Sequence, residues 1–352
     1  MGMQDGRAVI AETAYPRSVA AARVRIEAFA PHLAPLGVAL HYRPALSERE
    51  YALITSGAGT AAKVKTAVAA STRLLARQRD GDALLVHRLR CPVPIPGIDP
   101  PRRLAVYDFD DALFIGSVSS TNRRFARLKM EAARCTSYMQ RAQVVLAGNS
   151  YLAEHARRHC SRVEVIPSCV DPDKQPIRRH RETDVVTVGW IGSPSTSGYL
   201  DAIHGVLARL NERGVRMRLV VMGATTRIDA PWIEYRPWSL EGERETLAQL
   251  DIGLMPMPED RWTRGKCGYK LLQYFSAGVP AVASPVGVNS TIVSSERGML
   301  ASTPRDWDRA LTTLAASCDI RRQMGCAARA FVEREFSYQR WAPELAGLLR
   351  SV

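Results

Sequence analysis

The stretch Gly265–Asn289 reads GKCGYKLLQYFSAGVPAVASPVGVN, and its pattern says most about the fold. It predicts a helix over 267–277, because Gly278 can end the helix and Pro280 prevents its continuation. Two sets of side chains fall on opposite sides of this helix: a polar set of Lys266, Lys270 and Gln273, and an apolar set of Leu271, Leu272 and Phe275. A short amphipathic helix followed by a strand of small residues is typical of an α/β protein.

The basic residues just before this helix indicate an anion-binding site at its N-terminus. Free N–H groups and the helix dipole both favour a phosphate at a helix N-terminus, and we interpret the polar side as the face toward a nucleotide diphosphate. Arg264, Gly265 and Lys266 extend the pattern, since compact positive charge suits a phosphoryl leaving group. A surface helix with a solvated basic loop is the alternative, and this stretch alone leaves both open.

Length and charge narrow the class of protein. The chain has 352 residues, enough for two domains that each bury a core. Its formal net charge of +13 favours anionic partners such as sugar nucleotides or an acidic membrane face. The basic residues are scattered, and no RNA-binding or zinc-finger spacing appears, so we predict no nucleic-acid partner.

Seven cysteines are spaced widely, without a Cys-x-x-Cys pair. This spacing favours a reducing compartment and argues against a structural zinc site. The N-terminal segment lacks the pattern of a signal peptide, and no apolar run is long enough to span a bilayer. We therefore expect a cytoplasmic protein; contact with the inner face of a membrane and self-association remain open.

Short apolar runs alternate with helical patterns along the whole chain, which predicts parallel sheets covered by helices. In the first half, strands are predicted at 8–10, 38–42, 83–87, 104–107, 144–147 and 163–166, and helices at 18–33, 61–79, 122–141 and 151–159, the last with Ser150 as its N-cap. In the second half, strands are predicted at 185–191, 216–222, 233–235 and 252–255, and helices at 199–213, 241–250 and 306–350, with a break near 336.

The polar, proline-containing segment 173–183 divides these two series and is predicted to be a linker. We predict one Rossmann-like domain over 1–172, a second over 184–335 and a C-terminal helix over 336–352. Two doubly wound domains joined in this way are expected to face a central cleft. Ligands of open parallel sheets bind at the carboxyl ends of the strands, so the loops that follow strands should carry the chemistry.

One such loop follows the first strand of the second domain, where Gly192 is followed by Ser193, Ser195 and Thr196. Small residues permit close approach of a ligand, and hydroxyl groups donate to phosphate oxygens. The loop has neither the Gly-Lys-Ser/Thr ending of a phosphate-binding P-loop nor the dinucleotide glycine fingerprint.

Three carboxylates, Asp108, Asp110 and Asp111, follow a strand of the first domain. They would repel one another unless positive charge lies among them. Contact with sugar hydroxyls, an Asp-x-Asp metal clamp and a helix N-cap are the three interpretations, and we favour contact with the sugar or acceptor. Arg88 and Asn149 follow neighbouring strands and are candidate acceptor contacts, with ordinary surface positions as the alternative.

Taken together, these residues resemble the glycosyltransferases of GT-B architecture, and most of all the large family-four group of retaining enzymes (glycosyltransferase group 1). The resemblance rests on VGWIGSPSTSGYL at 188–200 and on the segment 251–289 that ends in the stretch quoted above. In the first domain it rests on LAVYDFDDALF at 104–114, VVLAGNSYLAEHA at 144–156 and VEVIPSCVD at 163–171.

The resemblance implies a nucleotide-diphosphate sugar donor in the second domain, a small-molecule or glycan acceptor in the first, retention of anomeric configuration and no required metal or cofactor. It also implies that the C-terminal helix crosses back to the first domain. The donor-binding set is then Gly192, Ser193, Ser195, Thr196, Arg264, Gly265, Cys267, Gly268, Tyr269 and Gln273. The catalytic set is Lys266, Lys270, Asp108 and Asp110, and the acceptor set is Arg88, Asp111 and Asn149. High arginine and alanine usage favours a bacterial source and a role in natural-product or surface-glycan assembly.

The chain departs from the family in two places. Lys266 and Gln273 occupy the positions of two glutamates in the donor motif. The loop of Ser193 replaces an arginine and a lysine that hold the diphosphate in relatives. We infer that Lys266, Lys270 and Arg264 supply this charge. A catalytically impaired nucleotide-sugar-binding protein and a sugar-nucleotide epimerase of the same fold are the alternatives.

Overall fold

The computed structural model describes residues 6–74, 83–95, 99–102, 104–116, 130–224 and 228–352. The chain divides into two compact units. Unit 1 comprises Met1–Cys169, Gly265–Cys267 and Tyr338–Val352, and unit 2 comprises Val170–Arg264 and Gly268–Ser337. The predicted linker at 173–183 packs within unit 2, where the Arg178 N–H donates to the Ala277 carbonyl and its guanidinium pairs with Asp251.

Unit 1 is built on a parallel sheet of strand order β2-β1-β3-β4-β5-β6 in its described residues. Its strands are β1 (Arg7–Thr13), β2 (Val38–Pro44), β3 (Ala83–His87), β4 (Leu104–Phe109), β5 (Ala142–Ala147) and β6 (Val163–Val165). Its helices are α1 (Ala20–Arg25), α2 (Ala30–Leu33), α3 (Glu48–Thr55), α4 (Thr60–Thr72), α5 (Glu131–Arg141) and α6 (Ser150–Ala156), together with the C-terminal α13 (Tyr338–Arg350).

Unit 2 has a second parallel sheet, of order β12-β11-β10-β7-β8-β9. Its strands are β7 (Val186–Ile191), β8 (Met217–Met222), β9 (Ile233–Arg236), β10 (Ile252–Met255), β11 (Ala281–Ala283) and β12 (Gly298–Leu300). Its helices are α7 (Asp201–Glu212), α8 (Leu240–Leu247), α9 (Tyr269–Ser276), α10 (Asn289–Ile292), α11 (Pro304–Ala316) and α12 (Cys318–Glu335).

The two sheets have the fold class that the alternating sequence pattern predicts, and every strand pair recorded within them is parallel. Apolar side chains cover both faces of the central part of the unit 2 sheet, which explains why strands such as β10 and β11 are continuous apolar runs rather than alternating ones. Because all strands in a sheet point the same way, their following loops lie along one edge. That edge carries the polar residues described below.

Two predicted details are wrong. The helix expected over 18–33 is broken into α1, a 3₁₀ turn and α2, because Pro31 lacks the N–H that a continuous helix needs. The N-cap of α6 is Asn149 rather than Ser150: Asn149 has extended backbone angles, and its side-chain oxygen accepts from the Leu152 N–H. The helices predicted at 61–79 and 122–141 extend into residues outside those described.

Candidate functional site

The three carboxylates after β4 lie among positive charges, as their proximity requires. Asp108 is 2% exposed and forms a two-point ion pair with Arg25. Its second oxygen also lies 2.6 Å from His87 Nδ1. Both oxygens of Asp108 therefore have partners inside unit 1. The side chain is buried, so the sugar contact and the metal clamp considered for it do not match its position.

Asp110 and Asp111 share a different cation. Arg88 Nε donates to Asp110 at 2.5 Å, and Arg88 Nη2 pairs with Asp111 at 2.6 Å. Lys266 Nζ reaches the other oxygen of Asp111 at 2.8 Å. Arg88 holds this geometry with a φ of 55°, which is uncommon for a residue other than glycine.

These pairings control the charge of the cluster. Burial alone would raise the pKa of Asp110, but Arg88 and His87 outweigh burial and hold that pKa below its usual range. For Asp108 burial is again opposed, chiefly by Arg25 and His87, and its pKa is also lowered. Both groups are thus carboxylates at neutral pH, and the cluster is a fixed array of alternating charges.

Asn149 and Cys267 position the tripeptide Gly265–Cys267. The Asn149 amide donates to the carbonyls of Gly265 (3.1 Å) and Lys266 (3.2 Å) while its oxygen caps α6. The Cys267 thiol donates to the Asp110 carbonyl at 3.2 Å, and burial raises its pKa well above the ordinary value, so it stays protonated. Asn149 is buried, and both ends of its side-chain amide form hydrogen bonds with backbone groups.

In unit 2, the loop after β7 approaches the loop after β8 very closely. A Cβ on Gly223 would come within 2.1 Å of the Gly192 carbonyl oxygen, and a Cβ on Gly192 would collide with the Trp190 ring at 2.4 Å. Ser193 and Ser195 are exposed, and their hydroxyls lie 2.8 Å apart. The glycines therefore let the loop present two adjacent hydroxyl groups at the carboxyl edge of the sheet.

The helix predicted over 267–277 is the shorter α9, which begins at Tyr269. Gly268 is its N-cap with a φ of 68°, and a Cβ there would lie 2.5 Å from Ile292. This turn places Lys266 before the helix and in unit 1, so the prediction that Lys266 shares a helical stripe with Lys270 is wrong. A left-handed glycine turn separates the two lysines.

Lys270 remains at the start of α9, beside the glycine loop. Its Nζ lies 5.5 Å from the centre of the Trp190 ring, and its Cε is 3.0 Å from where a Cβ of Gly192 would stand. A cation over an indole ring is stabilised by the ring quadrupole. Arg264, by contrast, is bound at 2.6 Å to Glu259 at an exposed position.

Gln273 lies on the inner side of α9 and is 7% exposed. Its amide nitrogen donates to Glu243 Oε1 on α8 at 2.7 Å, and Trp238 Nε1 donates to the other oxygen of Glu243 at 2.6 Å. Because a carboxylate only accepts, the amide nitrogen of Gln273 must face Glu243 and its carbonyl oxygen must face elsewhere.

Three residues of these clusters were missed from sequence: Arg25, His87 and Glu243. Arg25 and His87 precede the aspartates by many residues, and only the order of the strands brings them together. Glu243 belongs to a helix that looks like an ordinary polar surface helix. His87 alone had a local signal, since it ends a predicted strand next to Arg88.

The remaining predicted residues occupy simple positions. Thr196 is buried, and its hydroxyl donates to the Ser193 carbonyl at 3.2 Å, closing the loop. Gly265 packs closely against Ala112, since a Cβ there would lie 2.7 Å from it.

Among the described residues, no group of three His, Cys, Asp or Glu side chains is arranged to hold a metal ion. None of the described helices is both long and apolar enough to cross a membrane.

Comparisons with known proteins agree with this architecture. Residues 182–317 match the family model of glycosyl transferases group 1. No protein of curated function matches the sequence. A sucrose-phosphate synthase from Thermosynechococcus elongatus superposes with a TM-score of 0.74 at 11% identity, covering 98% of each chain.

Two other solved structures cover nearly the whole chain. WaaG, a glycosyltransferase involved in lipopolysaccharide biosynthesis, has a TM-score of 0.65 at 13% identity, covering 98% of this chain and 100% of its own. HepE from Anabaena, solved in complex with UDP and glucose, has a TM-score of 0.60 at 12% identity, covering 99% of this chain and 100% of its own. The chain thus has the GT-B fold, and its segment 182–317 matches the model of the glycosyl transferases group 1 family.

Proposed function

We propose that this protein transfers a sugar from a nucleotide-diphosphate donor to an acceptor hydroxyl or amine. The observation that carries the proposal is the family match over 182–317. That segment contains the glycine-serine loop after β7 and the helix α9, where Lys270 and Gln273 lie. The donor-binding part of the proposal therefore rests on unit 2 alone.

The diphosphate is best accommodated by the loop of Gly192. Ser193 and Ser195 offer adjacent hydroxyl donors, and Lys270 supplies positive charge next to the same glycine. As the bond to the anomeric carbon breaks, negative charge grows on the departing phosphate, and a preorganised cation stabilises that charge. Lys270 is therefore our first candidate for the leaving-group cation.

Lys266 and Arg264 have carboxylate partners in the structure, so we assign them supporting roles. Lys266 is held by Asp111, and Arg264 by Glu259. Asp108 and Asp110 act in this proposal by fixing His87 and Arg88 rather than by touching substrate. Arg88 and Asp111 stay candidates for the acceptor.

Gln273 suits a ribose hydroxyl as its ligand. Glu243 holds the amide nitrogen, so the carbonyl oxygen of Gln273 is the group left to accept a hydrogen bond. In the resemblance, this position carries the glutamate that binds ribose. The chemistry at 273 is then still that of an acceptor, without the extra strength of an ionised one.

We further propose retention of anomeric configuration, independence of a metal, and a role in bacterial natural-product or surface-glycan assembly. Retention follows from the resemblance. It is consistent with the burial of Asp108 in an ion pair with Arg25, because that carboxylate is then not available as a general base for the attacking hydroxyl. A leaving phosphate oxygen can take the proton of the attacking hydroxyl instead.

The test is a donor screen. The purified chain is incubated, with and without EDTA, with UDP-, GDP-, ADP- and dTDP-sugars and a panel of sugar and glycan acceptors. Products are detected by mass spectrometry, and the anomeric configuration is read by NMR. Transfer from one donor class with retention supports the proposal, and inverted product contradicts the retaining part of it. Product without any acceptor would indicate hydrolysis or epimerisation.

One observation favours a second candidate, a nucleotide-sugar-binding protein without turnover. Two of the three cations that we expected to neutralise the diphosphate are neutralised by this chain's own carboxylates. Calorimetry with the same donors separates the two. Donor binding with no product across the acceptor panel would favour the binding protein.

A further inference from the structure

A cavity of about 730 Å³ lies at the carboxyl end of β2 in unit 1. Its described lining is formed by the end of that strand and the following turn, by α3, and by the residue that ends α4: Tyr42, Arg43, Pro44, Ala45, Leu46, Ser47, Glu50 and Arg73. This volume is in the range of small-molecule sites, about 300–1,000 Å³. None of the residues predicted from sequence to bind donor or acceptor lines it.

The two arginines of the cavity differ in their surroundings. Arg73 donates to both oxygens of Glu50 at 2.8 Å and to the Ala45 carbonyl at 3.1 Å. Glu50 in turn caps α3 through Ser47. Arg73 and Glu50 are thus a neutral pair that forms part of the wall.

Arg43 has no such partner. It is half-buried at the end of β2, and in the part of the chain that the structure describes its guanidinium makes neither a hydrogen bond nor an ion pair. The guanidinium fork matches the oxygens of a phosphate or carboxylate in a two-point contact. The lining therefore has a net charge of +1 (Arg43 and Arg73 against Glu50), and the excess belongs to Arg43.

The cavity adjoins the carboxylate cluster through Tyr15. The Tyr42 hydroxyl, in the cavity wall, donates to the Tyr15 carbonyl at 2.6 Å. The N–H of the neighbouring Ala14 donates to the carbonyl of Leu89, the residue after Arg88, at 2.6 Å. A molecule seated in the cavity would therefore be close to the edge of the unit 1 sheet where acceptor residues are expected.

We propose that this cavity binds the phosphate group of a small phosphorylated acceptor, with Arg43 as its specificity-determining residue. The proposal names the class of acceptor for the proposed function. It rests on that function, because the bound molecule is an acceptor only if the protein transfers a sugar to it. The anion site itself stands on Arg43 and the cavity. The hydroxyl oxygens of Tyr42 and Ser47 donate their own protons to Tyr15 and Glu50, and each keeps a lone pair that can accept from a hydroxyl group of the same molecule.

The test measures binding without turnover. Glucose 6-phosphate and glucose are titrated calorimetrically into the wild type, Arg43→Gln, Arg43→Lys and Arg49→Gln. Arg49 is the matched control, since it is an exposed arginine on α3 outside the cavity lining. Melting temperatures of all four proteins are measured first, so that a fold defect is recognised.

We expect glucose 6-phosphate to bind the wild type and Arg49→Gln alike, and at least about tenfold more tightly than glucose. Arg43→Gln should lose about tenfold in affinity for the phosphate probe only. Arg43→Lys should lie between, because lysine keeps the charge without the planar fork. Equal binding of the two probes, no binding of either, or an equal loss in Arg49→Gln would each overturn the site.

A phosphorylated lipid headgroup carries the same chemistry as a soluble sugar phosphate. Sedimentation with phosphatidylcholine vesicles, with and without phosphatidylinositol, distinguishes the sources. Arg43-dependent binding to the inositol vesicles together with binding of glucose 6-phosphate places the phosphate on a lipid-linked acceptor. Binding of glucose 6-phosphate without vesicle binding places it on a soluble one. UDP binding is measured separately, so a protein that binds the sugar phosphate but no nucleotide would refute the proposed function and leave the anion site standing.

Discussion

The side-chain amide of Gln273 donates a hydrogen bond of 2.7 Å to Glu243, a carboxylate on a neighbouring helix. Both side chains are buried, and the indole of Trp238 holds the second carboxylate oxygen. A carboxylate is therefore present next to position 273, although it comes from α8 rather than α9. Restoring glutamate at 273 would place two carboxylates within hydrogen-bond distance of each other.

We predict that Gln273→Glu lowers the free energy of unfolding, contrary to what its family position suggests. One of the two carboxylates must protonate or lose its partner, because like charges so close together in a buried site cannot both remain ionised. The loss should be about 1–3 kcal/mol, measured by urea denaturation at pH 7.

The exchanged pair Gln273→Glu with Glu243→Gln is the control for this prediction. It restores one carboxylate and one amide, so it should recover most of the lost stability. It should also recover UDP affinity if position 273 accepts from ribose. A double variant no more stable than Gln273→Glu would contradict the pairing.

A second prediction concerns the buried ion pair of Arg25 and Asp108. Replacing Arg25 by methionine keeps most of the apolar stem but removes the guanidinium from Asp108, whose remaining side-chain partner among the described residues is His87 Nδ1. Removing one partner of a buried pair typically costs about 3–5 kcal/mol. Denaturant unfolding of Arg25→Met should show a loss of this order.

Arg17 is the matched control, because its ion pair with Glu27 involves an arginine side chain that is 69% exposed. Surface pairs contribute about 0–1 kcal/mol, so Arg17→Met should unfold almost like the wild type. Equal losses in the two variants would show that the burial of the Arg25–Asp108 pair adds little to the free energy of unfolding.

Local patterns in the sequence sufficed for the strands and for the α/β class. Strand β3 spans the residues predicted for it, and β10 does as well, because a run of buried apolar residues with turn signals at both ends has few other interpretations. Helix α3 was missed even though its capping box, in which Ser47 and Glu50 bond each other's backbone, is visible in the sequence.

The site could be predicted only in part. The three aspartates implied nearby cations, and Arg88 was among the candidates, but the partners Arg25 and His87 come from distant strands and helices. Helical periodicity also placed Lys266 and Lys270 together, whereas the positive φ of Gly268 separates them. A single left-handed residue redirects the chain, and periodicity contains no information about it.

The third prediction concerns pH. The pKa values of Asp108 and Asp110 are lowered in the folded chain by Arg25, His87 and Arg88, against the opposing effect of burial. Their stabilising contribution is fully present above the unfolded carboxyl pKa of about 3.9. It is lost as the pH falls through that value toward the folded pKa values, because the unfolded chain then binds more protons.

Unfolding free energies measured between about pH 6 and pH 3 should therefore fall more steeply in the wild type than in Asp110→Asn. The variant is expected to be less stable at pH 6, since Arg88 loses a partner. Its shallower slope is the informative quantity. Parallel curves for the two proteins would mean that Asp110 has the same pKa in both states.

The last prediction separates the two lysines. Lys270 lies beside the Gly192 loop, whereas Lys266 is already bound to Asp111. If Lys270 stabilises the departing diphosphate, Lys270→Ala should lower kcat by about 10²–10³, or roughly 3–4 kcal/mol of barrier, with the donor that the screen identifies. Lys266→Ala should affect kcat less and stability more. Lys65, an exposed lysine on α4, provides the control substitution. Full activity in Lys270→Ala would refute this role, because removing a cation that stabilises the leaving group must slow the reaction.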